Sequence, residues 1–376
     1  MKRTRNSEFN RASSPRRLPK QAFFAALAAI GLLGGAGSAE AVLFFATGDP
    51  GYNTNAPSGA LTNSGWELQG SWGNYLGTPI APKYFLTAKH LPGVSVGDPF
   101  WFDGVRYDTT TNFPHSQSDL QIWRVCGTFP RFAPLYTATN EVGQALVVFG
   151  RGTQRGAPVT TSGTSGTKTN GWLWGARDYV TRWGSNTVTA IFEDPTMGEL
   201  VQAEFNANAG PDECHLSTGD SGGAVFLQDG GTWKLAGINY SVDGPYNTTD
   251  SGDGFNAALF DQGGLYYLDG TNWVWTPDRP REQPGTFYAT RVSAHLVWIN
   301  SILNQVIPDN ERVVLQSAEI VTGLYTNDSS AVVDEATRTI TLPQPGGPRF
   351  YRVRGCAPLR ITTIESAGSN LIFRYD

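Results

Sequence analysis

From Val42 to about Tyr136 the apolar residues arrive in short runs: "VLFFATG", "GWELQGSWG", "KYFLTAKHL", "DPFWFDGVRY" and "DLQIWRV". Each is strand-length, rich in aromatic and β-branched residues, and bounded by glycine, asparagine or proline, the pattern of a β-strand between turns. The texture returns from about Glu141 to Tyr240 in "QALVVFGRG", "NTVTAIFED", "LVQAEFNA", "GGAVFLQ" and "WKLAGINY". Within it, "LQDGGTWKLAGI" sets Asp229-Gly230-Gly231 between two strand patterns and predicts a hairpin. Two successive groups of strands predict two β-barrels or sandwiches side by side.

Residues 243–286 break the pattern. They are turn-rich and read as a long insertion with one hairpin around "YYLDGTNWVW". Asp250 and Asp253 match no calcium-loop spacing and read as solvated turn residues. "TRVSAHLVWINSILNQV" is the one helix predicted, over about 292–304, with Ser293 as its cap and Leu296, Ile299 and Leu303 as its apolar stripe. Beyond Pro308, "RVVLQSAEI", "RTITLPQ", "RFYRVRG" and "NLIFRYD" predict a separate small β module over 307–376.

Composition narrows the class. The chain has 376 residues, 44 of them glycine and 23 proline, which favours an all-β protein with many turns. A basic stretch from Lys2 to Lys20, the apolar "AFFAALAAIGLLGGAGSA" and the small residues at Ala39–Ala41 read as an export signal, residues 1–41. The remaining chain carries 21 basic against 31 acidic residues, a formal charge of −10, which argues against nucleic acid and anionic membranes as partners. It is expected to be secreted or extracellular, with the periplasm or cell surface also open, and to hold no transmembrane anchor. Three cysteines, Cys126, Cys214 and Cys356, allow one internal disulfide at most, and Cys126–Cys214 is one pairing, leaving Cys356 single. No zinc spacing is present, and neither a metal nor a cofactor is expected.

The chemistry concentrates at "STGDSGGAVF", Ser217–Phe226. Gly-x-Ser-x-Gly can mark a strand–turn–helix elbow, but that arrangement needs a helix after Ser221 and a histidine late in the chain. Here strand, tight turn and strand follow, and the only later histidine, His295, sits in the predicted helix. The other order places histidine first, then aspartate, then serine. His90 ends the apolar "YFLTAKH", where a base can be held rigidly yet face a cleft. Asp119 opens the apolar "DLQIWRV", and a buried carboxylate needs a donor such as an imidazole N–H. Asp98, Asp103 and Asp108 compete from looser text.

"LTAKH", "SDLQIW", "GDSGGAV" and "FYATRVSAHLVWI" together resemble, in order, four landmarks of the trypsin/chymotrypsin-like serine peptidases, over about residues 65–304. The texture of "GTPIAPKYFLTAKH" is similar to a secreted bacterial branch of that family. The resemblance implies an all-β fold of two antiparallel β-barrels, about 42–138 and 139–290, with the terminal helix closing a domain of 42–306. It implies a serine endopeptidase acting on protein or peptide: Ser221 as nucleophile, His90 as general base and acid, and Asp119 fixing the imidazole. The N–H groups of Gly219 and Ser221 should form an oxyanion hole. His215, six residues before the nucleophile, stands where the family sets the base of its main pocket. It is not an aspartate, which argues against trypsin-like selectivity. A histidine there can favour acidic side chains, but a packed or hydrogen-bonded loop residue is the stronger reading. The strand Ile238–Val242, with Asn239, Tyr240 and Ser241, should line the pocket and pair with substrate backbone.

Departures from the family pattern matter. No "Ile-Val-Gly-Gly" activation site precedes His90, so Asp220, which in activated members pairs with a freed amino terminus, is open to an internal partner instead. Two rival readings differ in class. One is a catalytically silent relative that binds protein or glycan extracellularly; the other is a surface protein whose C-terminal module is the working part, through cell-surface or polymer contact. The intact set His90, Asp119 and Ser221 favours the enzyme.

Overall fold

Short strands joined by tight turns expose unpaired backbone groups at every sheet edge, and a sheet closed on itself removes those edges. Both halves of the chain take that solution. The computed structural model describes residues 42–163, 166–305, 313–356 and 359–376. The predicted export signal lies outside them.

The first barrel contains β1 (Gly70–Trp72), β2 (Tyr75–Ala81), β3 (Tyr84–Ala88), β4 (Pro99–Phe102), β5 (Val105–Pro114) and β6 (Leu120–Val125). They close antiparallel in the order β1-β2-β3-β6-β5-β4. The second contains β7 (Ala145–Gly150), β8 (Arg182–Asp194), β9 (Gly198–Glu204), β10 (Ala224–Asp229), β11 (Thr232–Val242) and β12 (Thr286–Arg291). Its order is β8-β9-β12-β11-β10-β7. The expected all-β, two-barrel architecture is therefore the one observed. The β10–β11 hairpin turns at Gly230 and Gly231, both at positive φ, with Asp229 opposite Thr232.

One apolar core runs through both barrels. Phe85 stacks on Phe100 at 4.0 Å and Trp72 tilts against Trp123 at 4.8 Å in the first. Phe149, Phe226 and Ile238 of the second join the same cluster. Burying one phenylalanine stabilises by roughly 1.5–3 kcal/mol, so this shared cluster ties the two barrels into a rigid frame for the groove between them.

Three features depart from the expectations. Thr153–Gly163 and Gly166–Arg177 form a long hairpin that Ala257–Leu259 of the insertion extends. The sequence predicts no element for this stretch, and only sheet pairing reveals it. The terminal helix begins as a 3-10 turn at Ser293–His295 and becomes α1 (Leu296–Leu303). Ser293 is not its cap: its Oγ donates to Glu141 Oε1 at 2.6 Å, beside the buried Arg291–Glu141 pair. Ile299 and Ile302 are the helix residues fully turned into the core.

The third correction concerns the cysteines. Cys126, just past β6, is bonded to Cys356, and Cys214 is the free, buried thiol. Cys214 packs inside the second barrel and Cys126 lies at the end of the first, so their positions in the fold, not their spacing, decide the pairing. Residues 313–356 and 359–376 form a three-stranded and a four-stranded sheet around Leu315, Ile340, Leu342 and Phe373, which the disulfide fastens to the first barrel.

Candidate active site

His90 lies two residues past the end of β3, and Asp119 immediately precedes β6. These strands pair with Ala88 opposite Leu120, so the two side chains emerge together at one barrel rim. The Lys89 N–H donates to the Asp119 carbonyl at 2.7 Å, and Lys89 Nζ donates to the His115 and Ser118 carbonyls, closing the loop that carries the aspartate. Asp119 is 2% exposed, whereas the His90 side chain is 37% exposed. The carboxylate is sealed in and the imidazole is partly open to solvent.

Asp119 Oδ1 accepts from the His90 backbone N–H at 3.0 Å, and Oδ2 lies 2.6 Å from His90 Nδ1. A carboxylate only accepts, so Nδ1 carries the imidazole proton and Nε2 has its lone pair free to accept. Ser221 Oγ stands 2.8 Å from that Nε2. The three side chains, predicted from separate stretches, form one line of hydrogen bonds from the first barrel to the loop before β10 of the second.

The loop carrying Ser221 is clamped from behind. Asp220 is buried, and its carboxylate accepts from the Gly152 N–H at 2.7 Å, the Ser217 N–H at 2.8 Å and Ser217 Oγ at 3.0 Å. A side chain at Gly150 or Gly152 would overlap that carboxylate, so the turn after β7 has to be bare to approach it. Burial raises the Asp220 pKa to about 6, opposed by these bonds and by the Arg177 charge. The internal partner left open for Asp220 is thus Gly152 with Ser217. Gly219 sits at φ +96 with the Arg177 guanidinium on its Cα face. The N–H groups of Asp220, Gly222 and Gly223 bond inside the protein. Among the described residues, no acceptor is bonded to the N–H of Gly219 or Ser221.

The predicted substrate residues separate into two kinds. Asn239 is buried, with Nδ2 donating to the Phe149 and Asp220 carbonyls at 2.8 and 3.0 Å, so its side chain braces the loop that carries Ser221. His215 is 1% exposed, donates from Nδ1 to the Leu216 carbonyl at 2.7 Å, and lies against Phe205 and Phe287. Burial lowers its pKa to about 4, so it is neutral and packed, as the stronger of its two readings has it. Tyr240 turns its ring edge-on to His90 at 6.0 Å, and Ser241 lies opposite Tyr288 across the β11–β12 pair. His115 and His295 meet beside Trp298, with ring centroids 4.7 Å apart, and burial first, then His115, lowers His295 to about 4.

No family model matches the chain, and no curated protein sequence matches it. Solved structures do. Human heparin binding protein is 15% identical, over 65% of this chain and 95% of its own, with a TM-score of 0.40. Neuropsin, a serine protease expressed in the limbic system of mouse brain, is 16% identical over 64% and 96%, with a TM-score of 0.37. Kallikrein-related peptidase 10 is 14% identical over 65% and 98%, with a TM-score of 0.36.

Proposed function

We propose that this protein is a secreted serine endopeptidase that hydrolyses peptide bonds through an acyl-enzyme, with Ser221 as nucleophile, His90 as base and acid, and Asp119 as the group that orients His90. The observation that carries the reading is the unbroken line Asp119–His90–Ser221, at 2.6 and 2.8 Å.

The chemistry follows from that line. As Ser221 Oγ attacks the scissile carbonyl carbon, its proton passes to His90 Nε2 and the carbonyl oxygen takes up the electron pair as an oxyanion. Asp119, sealed from water, stabilises the imidazolium so formed. Collapse of the tetrahedral adduct breaks the C–N bond, and Nε2 returns its proton to the departing amine. Water then repeats the sequence on the ester and releases Ser221. The N–H groups of Gly219 and Ser221 receive the oxyanion, and a donor of this kind is worth on the order of 10²–10³ in turnover. The Asp220 clamp holds those two groups in place without reorganisation at the moment of reaction.

Export through residues 1–41 is part of the proposal; among the described residues no helix is long and apolar enough to cross a membrane. The test is a fluorophosphonate probe on the purified protein followed by peptide mapping. Labelling at Ser221 that disappears in His90→Ala supports the reading. An unlabelled Ser221 in folded protein overturns it.

A further inference from the structure

The long hairpin that the sequence does not predict returns to the candidate site at both ends. Thr153, where it begins, donates its N–H to Ser217 Oγ at 2.7 Å, and Arg177, where it ends, stands opposite Thr153 in the pairing. Arg177 thereby arrives beside the loop that carries Ser221. A side chain on Gly219 would overlap its guanidinium, so that group stands where the Cβ of any other residue would be. Gly219 itself lies at φ +96, a conformation that glycine adopts without strain.

A guanidinium beside a folded loop is usually met by a carboxylate, and this one is not. Asp178, its neighbour in the chain, pairs with Arg182 at 2.7 Å. Asp220 takes its hydrogen bonds from Gly152 and Ser217, and Arg177 acts on it only as a nearby charge. Arg177 Nη2 approaches the Asn74 carbonyl at 3.5 Å, and its Nε is buried with no partner among the described residues. Two rings hold the group instead. Its central carbon lies 5.3 Å from the ring centre of Tyr75 and 5.0 Å from that of Tyr179. Ring faces attract a cation but carry no formal charge, so the positive charge is kept in place and not cancelled.

Tyr179 is strained in making this arrangement. It is a bulky residue at φ +62, where only its surroundings can hold it. Arg151 does so, donating from Nε to the Tyr179 carbonyl at 2.7 Å while Nη1 approaches the Tyr75 carbonyl at 3.4 Å. One arginine thus fixes the backbone of both tyrosines, and the other lies against their rings.

We infer that Arg177 is a positioning residue for turnover. Its guanidinium fills the space beside Gly219, which keeps that glycine from turning its N–H away. It also brings an uncancelled positive charge to the oxyanion that the Gly219 and Ser221 N–H groups receive. The inference rests on the serine-peptidase reading, since without an oxyanion the charge has nothing to meet.

The test uses the purified full chain, a peptide that it cleaves and the matching peptidyl trifluoromethyl ketone. Ser221 Oγ adds to the ketone carbon, the serine proton passes to His90, and the ketone oxygen becomes an oxyanion. The fluorine resonance of this adduct follows the protonation of that oxygen against pH. Arg177→Gln, which keeps length and loses the charge, should lower kcat roughly 10- to 10²-fold, less than the loss of a directly bonded donor. KM should change only a few-fold. The same variant should raise the pKa of the adduct oxygen by about 1–2, the equivalent of that loss. Arg177→Lys should keep this pKa closer to the parent's than to the glutamine variant's, and melting temperatures taken beside it show that both variants are folded. A merely structural role would leave the adduct pKa where it is. An unchanged pKa in Arg177→Gln, or an equal fall in kcat in the two variants, overturns the inference and leaves the peptidase reading standing. A parent that cleaves no peptide and forms no adduct defeats that reading, and the inference with it.

Discussion

Asp119 holds His90 by two separate bonds, one to the backbone N–H at 3.0 Å and one to Nδ1 at 2.6 Å. The first places the residue and the second orients its ring. Together they leave Nε2 one direction to face, toward Ser221 Oγ.

Replacing Asp119 by Asn separates these effects. The amide oxygen can still accept from the His90 backbone, but the amide NH2 turned to Nδ1 favours the tautomer with its proton on Nε2. That nitrogen can no longer accept from Ser221. We expect kcat to fall by roughly 10⁴ with the melting temperature nearly unchanged, measured by steady-state kinetics beside thermal unfolding. A kcat within tenfold of the parent would show that the bond does not set the tautomer.

Ser217 supports the loop that carries Ser221 without touching Ser221 or His90. Its Oγ donates to Asp220 and accepts from the Thr153 N–H at 2.7 Å. Ser217→Ala takes the acceptor from the buried Thr153 N–H and one of two donors from Asp220 Oδ2, which keeps the Ser217 N–H, and costs about 1–3 kcal/mol of stability. It also removes a bond that lowers the Asp220 pKa from its present value of about 6. The acid limb of kcat against pH should therefore move to higher pH, with KM little altered. An unmoved limb would count against the clamp.

Glu213 makes stability depend on pH. Burial raises its pKa from 4.5 to about 7, against a bond from the Asn206 N–H. Between those values the unfolded chain has released the proton and the folded chain still holds it, so stability falls as pH rises from about 4.5 to 7. The loss is on the order of 3 kcal/mol and is complete above pH 7. Glu213→Gln keeps an oxygen for Asn206 and cannot titrate. Its unfolding free energy should lose this contribution and exceed the parent's at pH 8; what remains is the loss from Asp220 between about pH 4 and 6 and the opposite gain from His215 and His295, neutral when folded, between about pH 4 and 6.5. Denaturant unfolding across that range measures both.

The disulfide sets the attachment of the C-terminal sheets. Cys126 and Cys356 are separated by 230 positions, and a link closing so long a loop typically contributes about 2–5 kcal/mol. Cys356→Ser should make residues 313–376 more sensitive to limited proteolysis and leave kcat unchanged, since the bond lies at the first barrel and away from Ser221. Loss of turnover in a variant whose barrels remain folded would assign those sheets a part in the reaction.

Much of this arrangement is legible in the residues. Aromatic runs such as "KYFLTAKH" and "DLQIWRV" specify strands because their side chains need burial, and a polar residue at such a run's end has to be paired at a rim. That reasoning finds His90 and Asp119 before any contact is known. The bracket of glycines finds Ser221, because close backbone approach leaves a mark in composition. The hairpin of Thr153–Gly163 with Gly166–Arg177 has no such mark, since its polar residues are stabilised by pairing with a neighbour rather than by their own pattern.

What the sequence by itself determined was chemistry that depends on residue type and local order: β-strands, tight turns, and which side chains could act as acid, base and nucleophile. Tertiary structure alone decided which groups meet. It joined Cys126 to Cys356, packed His215 away, gave Asp220 its donors, and set Asp243 against Tyr288. The reason is physical: local patterns carry the period of an element and the need for burial, whereas a disulfide, a clamp or a hydrogen bond between distant strands depends on distances between segments that become neighbours only when the barrels close.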